Sequence, residues 1–399
     1  LYFKIEAMSK IYLKPKKDEA LRRYHPWVFS GAILRTEGKP TDGEAVEVFD
    51  AKGEYLATGH FSEGSSIAVR IFSFGKTAGG LDFWLKKLGE AYQYRLRVGL
   101  IGKEHTTCFR LVHAEGDGLP GLIIDVYGAT AVVQCHSVGM HHQRELIAQA
   151  LQKLGEGAVT AVFDKSKETL PPNYAATVSN GYLVGQSNAQ EVKENGHSFF
   201  VDWEVGQKTG FFLDQRDNRQ LLGRYVEGKS VLNSFCYSGG FSVYALAAGA
   251  SLVHSVDVSQ KAIEWTKRNL ALNDFQPEAH ACIAEDVLKY LQTCPVYEVM
   301  VVDPPAFAKN ISKRHNAVQG YKRLNVAAIK KLAPGGILLT FSCSQVVDRE
   351  LFYHTITAAA IEAGRQVRVM HHLSQPPDHP VSLFHPEGSY LKGFVVYVD

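Results

Sequence analysis

The six cysteines of the chain, Cys108, Cys135, Cys236, Cys282, Cys294 and Cys343, include no C-x-x-C pair. That absence argues against zinc knuckles and dithiol redox pairs, and no metal is expected from the remaining pattern. Scattered free thiols fit a reducing compartment. No apolar run reaches the roughly eighteen residues of a membrane helix, and the amino end lacks the layout of a signal peptide, so a cytoplasmic protein is expected. An excess of one charge is missing too: 43 Lys and Arg face 41 Asp and Glu, a net of +2. Total charge therefore supplies no argument for binding a polyanion. What remains is ordinary globular composition, 45% hydrophobic and 21% charged over 399 residues, enough for two or three domains. Leu1 to Ala7 precede the first methionine, Met8, and read as a vector-derived remnant outside the fold.

The charge that matters is local. Lys10, Lys14, Lys16, Lys17, Arg22 and Arg23 crowd the amino end against Asp18 and Glu19, while Lys309 to Lys331 carries five lysines, two arginines and no acid. Neutralised phosphates release counterions, so basic side chains beside a crevice suit a nucleic-acid backbone. Lys14, Arg23, Lys309, Lys313 and Arg314 are candidate contacts on this ground. A solvated helix face is the plain alternative for either run.

The second run lies inside the stretch that organises the chain. Val299 to Val302 has strand character and leads into Asp303-Pro304-Pro305-Ala306-Phe307, and Ile337 to Phe341 leads into Ser342-Cys343-Ser344-Gln345. Between them Val318, Tyr321, Leu324, Ala328 and Leu332 recur at helical spacing, and Pro334-Gly335-Gly336 stops the helix. A strand, helix, strand unit is right-handed with parallel strands, so both motifs leave one sheet edge, where ligands bind in open α/β sheets. Asp303 and Cys343 are therefore expected to face one substrate.

Around this unit the chain reads in three parts. Residues 8–76 show short strands at Trp27–Phe29, Ala45–Phe49, Tyr55–Phe61 and Ile67–Phe72, the pattern of a small β-barrel binding module. His25-Pro26-Trp27 reads as a structural corner within it. Residues 77–190 read as α+β, with a helix from Leu81 to Ile101, a hairpin from Arg110 to His136 turning at Gly116–Gly121, a helix near Met140–Leu154, and strands at Ala161–Phe163 and Tyr182–Val184. Nothing in this part combines ionisable groups at a spacing that chemistry needs. Residues 191–399 open with a hairpin around Glu194-Asn195-Gly196 and a polar cluster from Gly206 to Arg216, which suits a helix start or a ligand lid. Strands and helices then alternate as in a doubly wound, mainly parallel α/β sheet.

The strand from Val231 to Phe235 runs into Cys236-Tyr237-Ser238-Gly239-Gly240, a small-residue turn at a helix start that lets a ligand approach the backbone. Asp257, eighteen residues past Gly239, ends the next strand, near the spacing at which an acid takes ribose hydroxyls. The full G-x-G-x-x-G is absent, which shifts weight from a dinucleotide toward a nucleoside without phosphates, and S-adenosylmethionine is such a ligand. Asp286 is suited to the adenine edge, and helix capping is the alternative for all three strand-end aspartates. Candidate cofactor residues are Phe235, Cys236, Tyr237, Ser238, Gly239, Asp257, Val258, Asp286 and Asp303.

With these motifs in place the chain resembles the large-subunit ribosomal RNA methyltransferase I family, bacterial enzymes that methylate carbon 5 of a cytosine in 23S rRNA. The resemblance runs through Arg23 to Ile33, Gly116 to Leu122, Gly210 to Arg216, Asn233 to Ser242, Asp303 to Phe307 and Ser342 to Ser344. It implies an amino-terminal PUA domain that binds RNA and a carboxyl-terminal class I methyltransferase using S-adenosylmethionine. It also implies 23S rRNA or an assembling large-subunit particle as partner, with no membrane role; a homodimer is compatible. Cys343 would add to carbon 6 of cytosine as nucleophile. Asp303 would hold the base, and Pro304 and Phe307 would line its slot. Ala306 departs from related cytosine methyltransferases, which carry a second cysteine there, so the base that takes the carbon 5 proton is unassigned. An RNA amino-methyltransferase with an incidental Cys343, and a noncatalytic RNA-binding assembly factor, are the competing readings.

Overall fold

A computed structural model describes residues 8–77, 79–187, 190–308 and 310–399. The chain forms two compact units: Leu1–Val192 with Val201–Phe211 and Pro377–Gly388, and Lys193–Phe200 with Phe212–Pro376 and Ser389–Asp399. Among the described residues no helix is long and apolar enough to cross a membrane. The remnant expected at Leu1 to Ala7 lies outside the described residues.

The first unit holds two sheets. One orders its strands Trp27–Phe29, Ile67–Ser73, Tyr55–Phe61, Ala45–Phe49, Lys10–Leu13 and Ile33–Glu37, antiparallel except where Lys10–Leu13 runs parallel to Ala45–Phe49. Lys10–Leu13 and Ile33–Glu37 go beyond the strands read from sequence. Ile33–Glu37 is an edge strand exposed along most of its length, so it lacks the alternation that marks a half-buried strand. The other sheet orders Gly181–Val184, Ala161–Asp164, Thr130–Cys135, Leu122–Tyr127 and Cys108–His113, and the helices Leu81–Arg97 and Arg144–Lys153 bury Trp84, Leu88, Ile147 and Leu151 in its core. The expected hairpin turning at Gly116–Gly121 is present, followed by a second turn into Thr130–Cys135.

Buried charge binds the separated pieces of this unit. Arg95 pairs with Asp117 and donates to the carbonyl oxygen of Asp378 at 2.8 Å, while the Arg110 amide donates to Asp378 Oδ2 at 3.0 Å. Arg110 also forks onto Asp125, which accepts from Thr209 Oγ1 at 2.6 Å. These bonds explain why Val201–Phe211 and Pro377–Gly388, which lie beyond residue 190, belong to the first unit.

In the second unit a seven-stranded sheet contains β1 (Ser230–Ser234), β2 (Leu252–Asp257), β3 (His280–Ala284), β4 (Tyr297–Val302), β5 (Leu332–Ser342), β6 (Val367–Leu373) and β7 (Lys392–Val398). Their order is β3-β2-β1-β4-β5-β7-β6, parallel through β5, with β7 antiparallel to both neighbours. Chain direction through the sheet reverses between β1 and β4, the switch point at which such sheets bind ligands. The helices are α1 (Gly240–Ala247), α2 (Gln260–Ala271), α3 (Val287–Thr293), α4 (Arg314–Lys330) and α5 (Arg349–Ala363). α4 buries Tyr321, Leu324 and Ala328 of the expected stripe, together with Ala317 and Ile329, while Val318 is half-buried and Leu332 already belongs to β5. Pro334-Gly335-Gly336 falls inside β5 rather than before it: Leu332 already pairs with Tyr297, and the extra residues form an irregularity with Gly335 at φ +77°.

Gly116 meets a strict steric demand in the first unit. A Cβ there would overlap the carbonyl oxygen of Pro380, so only glycine lets Pro377–Gly388 pack against this turn. Gly116→Ala should lower stability by about 1–3 kcal/mol in urea unfolding, with amide-exchange protection lost first in residues 377–388.

Candidate active site

The turn after β1 is backbone-strained and rigidly held. Phe235, Tyr237 and Gly239 have φ of +58°, +47° and +76°, and each such non-glycine costs about 1–3 kcal/mol unless its surroundings enforce it. The enforcement comes from α2. Thr266 Oγ1 donates to the Tyr237 carbonyl at 2.8 Å, and Asn269 Nδ2 donates to that of Ser238 at 2.7 Å. A Cβ on Gly239 would lie 2.6 Å from Thr266 Cγ2. Asp257 closes the turn from β2, accepting the Tyr237 amide at 3.0 Å and the Ser259 amide at 2.9 Å. The result is a tightly held turn, half-buried at Phe235 and Tyr237, beside a carboxylate, which fits the sugar and amino-acid portions of a nucleoside cofactor.

The D-P-P and S-C-S loops meet at the ends of β4 and β5. Val301 and Val302 pair with Leu339 and Thr340, which brings Asp303 and Cys343 out at one edge. Ser344 Oγ then donates to the Ala308 carbonyl at 2.7 Å, tying the second loop to the first. Asp303 is oriented by Gln215, whose Nε2 donates to Oδ2 at 3.0 Å, and Asn218 Nδ2 fixes Gln215 through Oε1 at 2.6 Å. Tyr321 rises from α4 beneath both loops, packed on Phe307 at 4.6 Å between ring centroids. Burial pushes its hydroxyl up to about 12, and the negative forms of Cys343 and Asp303 act in the same direction.

Comparisons with known proteins agree with this geometry. Residues 11–74 match the family model of a PUA-like domain, and residues 110–387 match that of an S-adenosylmethionine-dependent methyltransferase. The ribosomal RNA large subunit methyltransferase I of Aeromonas hydrophila is 41% identical, covering 97% of this chain and 99% of its own. Those of Photobacterium profundum and Escherichia coli are 42% and 39% identical, each over 98% of this chain and 99% of its own. The chain belongs to the ribosomal RNA large subunit methyltransferase I family. A solved Streptococcus mutans methyltransferase shares the fold with a TM-score of 0.82 at 22% identity, over 97% of this chain and 99% of that one. A related structure, complexed with S-adenosylhomocysteine, gives 0.83 at 22% identity over the same shares. As a member of this family the chain is an S-adenosylmethionine-dependent methyltransferase, with a PUA-like amino-terminal domain and a mixed α/β fold.

Within that methyltransferase unit the candidate cofactor residues separate by environment. Cys236 and Ser238 are buried beneath the turn, and Cys236 Sγ lies 3.6 Å from Thr266 Oγ1. Burial pushes the Cys236 thiol far above its ordinary range, so it serves as a structural member of the turn. Val258 is 75% exposed. Asp286 caps α3, its Oδ1 accepting the Lys289 amide at 3.0 Å, and this cap leaves the other carboxylate oxygen available. The sequence pattern had not marked α3, whose seven residues are too few for a periodic signal.

Of the candidate substrate residues, Pro304 is buried, while Phe307 sits at the outer face of the loop, 37% exposed. Lys313 is exposed in the turn before α4, and Arg314 reaches Asp348 at 3.3 Å. Lys322, further along α4, pairs with Glu362 of α5 at 2.6 Å. The basic run is thus partly neutralised by α5, a cost its sequence alone did not show. Lys309 lies outside the described residues. Lys14 and Arg23 belong to the first unit, where both are exposed and Lys14 Nζ donates to the Gly31 carbonyl at 2.9 Å. Gln215, Tyr321 and Lys392 were not singled out from sequence. The first comes from the polar Gly206–Arg216 cluster, whose density of hydrogen-bonding side chains was its only signal.

One trio in the first unit has the chemistry of a metal site: ligand atoms of His25, His385 and Glu387 lie within 4.8 Å of one another. His25 Nδ1, however, accepts the Trp27 amide at 3.2 Å, which puts the neutral ring's proton on Nε2, the nitrogen facing Glu387. Metal-bound histidines use the opposite arrangement, donating through the second nitrogen. The trio therefore suits the structural corner expected of His25-Pro26-Trp27, and Trp27 stacks edgewise on His385 at 4.4 Å.

The Gln215 bond to Asp303 gives a direct test of the site. Gln215→Leu should keep the fold and S-adenosylmethionine affinity, measured by calorimetry. Its methyl-transfer rate should fall about tenfold or more, about 1.4 kcal/mol of barrier per decade.

Proposed function

We propose that this methyltransferase modifies carbon 5 of a cytosine in 23S ribosomal RNA, through a covalent adduct with Cys343. The observation that carries the reading is the Ser344–Ala308 hydrogen bond, which fastens the loop bearing Cys343 to the loop bearing Asp303. Carbon 5 of cytosine is a poor nucleophile. Addition of the Cys343 thiolate to carbon 6 makes carbon 5 enamine-like, while Asp303 holds the ring nitrogen and exocyclic amine and stabilises the protonated adduct. The cofactor, when bound, supplies an electrophilic methyl group. Loss of the carbon 5 proton then restores the double bond and expels the thiolate.

In this reading residues 8–76 form the RNA-binding module, 77–190 a connecting α+β domain, and 191–399 the catalytic domain. Phe235, Tyr237, Gly239 and Asp257 hold the cofactor, with Cys236 and Ser238 shaping the turn from within and Val258 and Asp286 at its rim. Lys14, Arg23, Lys313 and Arg314 supply phosphate contacts, and Phe307 with Pro304 forms one wall of the base slot. The names of the curated relatives support rRNA as the substrate, which is either free RNA or an assembling large-subunit particle. A cytoplasmic setting follows from such a substrate.

Incubation with unmodified ribosomal RNA and methyl-labelled S-adenosylmethionine, followed by nucleoside mass spectrometry, should give labelled 5-methylcytidine. A labelled methylguanosine or methyladenosine would refute the cytosine assignment and make Cys343 incidental. Cys343→Ala should lower transfer at least about a thousandfold with cofactor binding intact. Asp257→Ala should instead weaken cofactor binding by about ten- to a hundredfold, the loss typical of hydrogen bonds to a charged group.

A further inference from the structure

Lys392 is the first residue of β7 and one of the most deeply buried lysines of the chain, 4% exposed. Its backbone pairs with Ser342 across the sheet, and its Nζ donates to the Ser344 carbonyl at 2.6 Å. The two contacts flank Cys343 on either side, so the ammonium is carried along the Ser342-Cys343-Ser344 segment. Among the described residues no carboxylate lies within ion-pair distance of it. A buried cation without a partner anion is expensive. An apolar side chain would hold β7 against β5 at less cost, as Phe394 and Val396 do further along the strand. The group that would repay the burial is an anion formed at Cys343.

We infer that Lys392 is the proton acceptor and counter-ion of Cys343, a positioning residue that keeps the thiol as a thiolate at the edge of the sheet. The inference rests on the reading of Cys343 as a nucleophile. The step is a single proton transfer: the Sγ–H bond breaks, an Nζ–H bond forms, and the products are a thiolate and an ammonium. No other reactant is required. An ammonium beside a thiol favours the ionised form, and the thiolate in turn favours the ammonium. Burial holds the Lys392 amine down at about 8, and Cys343 acts in the opposite direction. An amine in that range, unlike an ordinary lysine, has an appreciable neutral fraction near neutral pH with which to take the proton. The other charges facing Lys392 are Arg349, which disfavours its ammonium, and Asp348, which favours it. Tyr321, from α4, interacts with both Cys343 and Asp303.

The test reads Cys343 itself. The full-length enzyme is treated with iodoacetamide across pH 5 to 10, roughly spanning free-thiol behaviour, and alkylation of the Cys343 peptide is followed by mass spectrometry. Wild type should show its alkylation midpoint at least about one pH unit below the free-thiol value of roughly 8.5. Lys392→Met should move the midpoint to or above that value and slow alkylation at pH 7 by about tenfold or more. Lys392→Arg, which keeps the counter-charge although it cannot take up the proton, should hold the midpoint near wild type. A wild-type midpoint at or above the free-thiol value overturns the inference, whether or not the Met variant folds. Equal midpoints in wild type and a folded Lys392→Met protein overturn it as well. Methyl transfer is not the readout, so the ion pair and the cytosine assignment fail separately: a low midpoint with a labelled purine product would uphold the first and refute the second.

Discussion

The parallel pairing of β4 with β5 is the constraint on which the site depends. Once Val302 lies beside Thr340, the chain has no choice but to deliver Asp303 and Cys343 at neighbouring positions on one sheet edge. The pairing is secured by burial on both faces: α4 and α5 cover one side with Tyr321, Leu324, Phe352 and Ile356. A register slip of one residue would turn Thr340 and its neighbours to the opposite face. The Ser344–Ala308 bond adds a direct tie between the two loops. The placement of both loops at this edge is thus an outcome of core packing together with that bond.

The second unit also buries charge where no chemistry is evident. Arg219 forks onto Glu194 at 2.9 and 2.8 Å, and Tyr244 donates to the same carboxylate at 3.0 Å, all of them buried. Arg219 further donates to the Phe212 carbonyl at 3.0 Å. This cluster anchors the Glu191–Glu194 and His197–Phe200 hairpin and the segment leading to Gln215. It thereby sets the position from which Gln215 reaches Asp303. Buried polar networks of this kind rigidify their surroundings.

What the sequence made legible was whatever is encoded locally. Asn195-Gly196 supplied the two left-handed residues of a tight hairpin, at φ +51° and +90°, and the turn is where the dipeptide indicated. The spacing in α4 and the strand runs of β1, β2, β4 and β5 placed the cofactor turn and both polar motifs on one α/β sheet. What escaped were relations across distance. Gln215 and Asp303 are 88 residues apart, and Lys392 and Ser344 are 48 apart. No local pattern announces either pair. The same holds for Arg95, Arg110 and Asp378 in the first unit, where sequence reading found no organised ionisable groups. Each is an isolated charge in the sequence, and burial alone brings them together.

Two cysteines stand at strand ends in the second unit, and their surroundings differ in charge. Cys236 follows β1 beneath a turn closed by Thr266 and Asn269, with Asp257 nearby. Burial and the negative charge of Asp257 disfavour a thiolate there and outweigh the Thr266 hydroxyl contact, so the thiol is held neutral as a small packed group. Cys343 follows β5 at a partly open edge, with a lysine ammonium carried on the adjacent strand. Residue type and strand-end position are the same in both. The neighbouring strand differs: β1 has the acidic end of β2 beside it, whereas β5 has the basic start of β7. An antiparallel β7 is what makes this possible, because only an antiparallel neighbour puts its first residue, rather than its last, at the ligand-binding edge of the sheet.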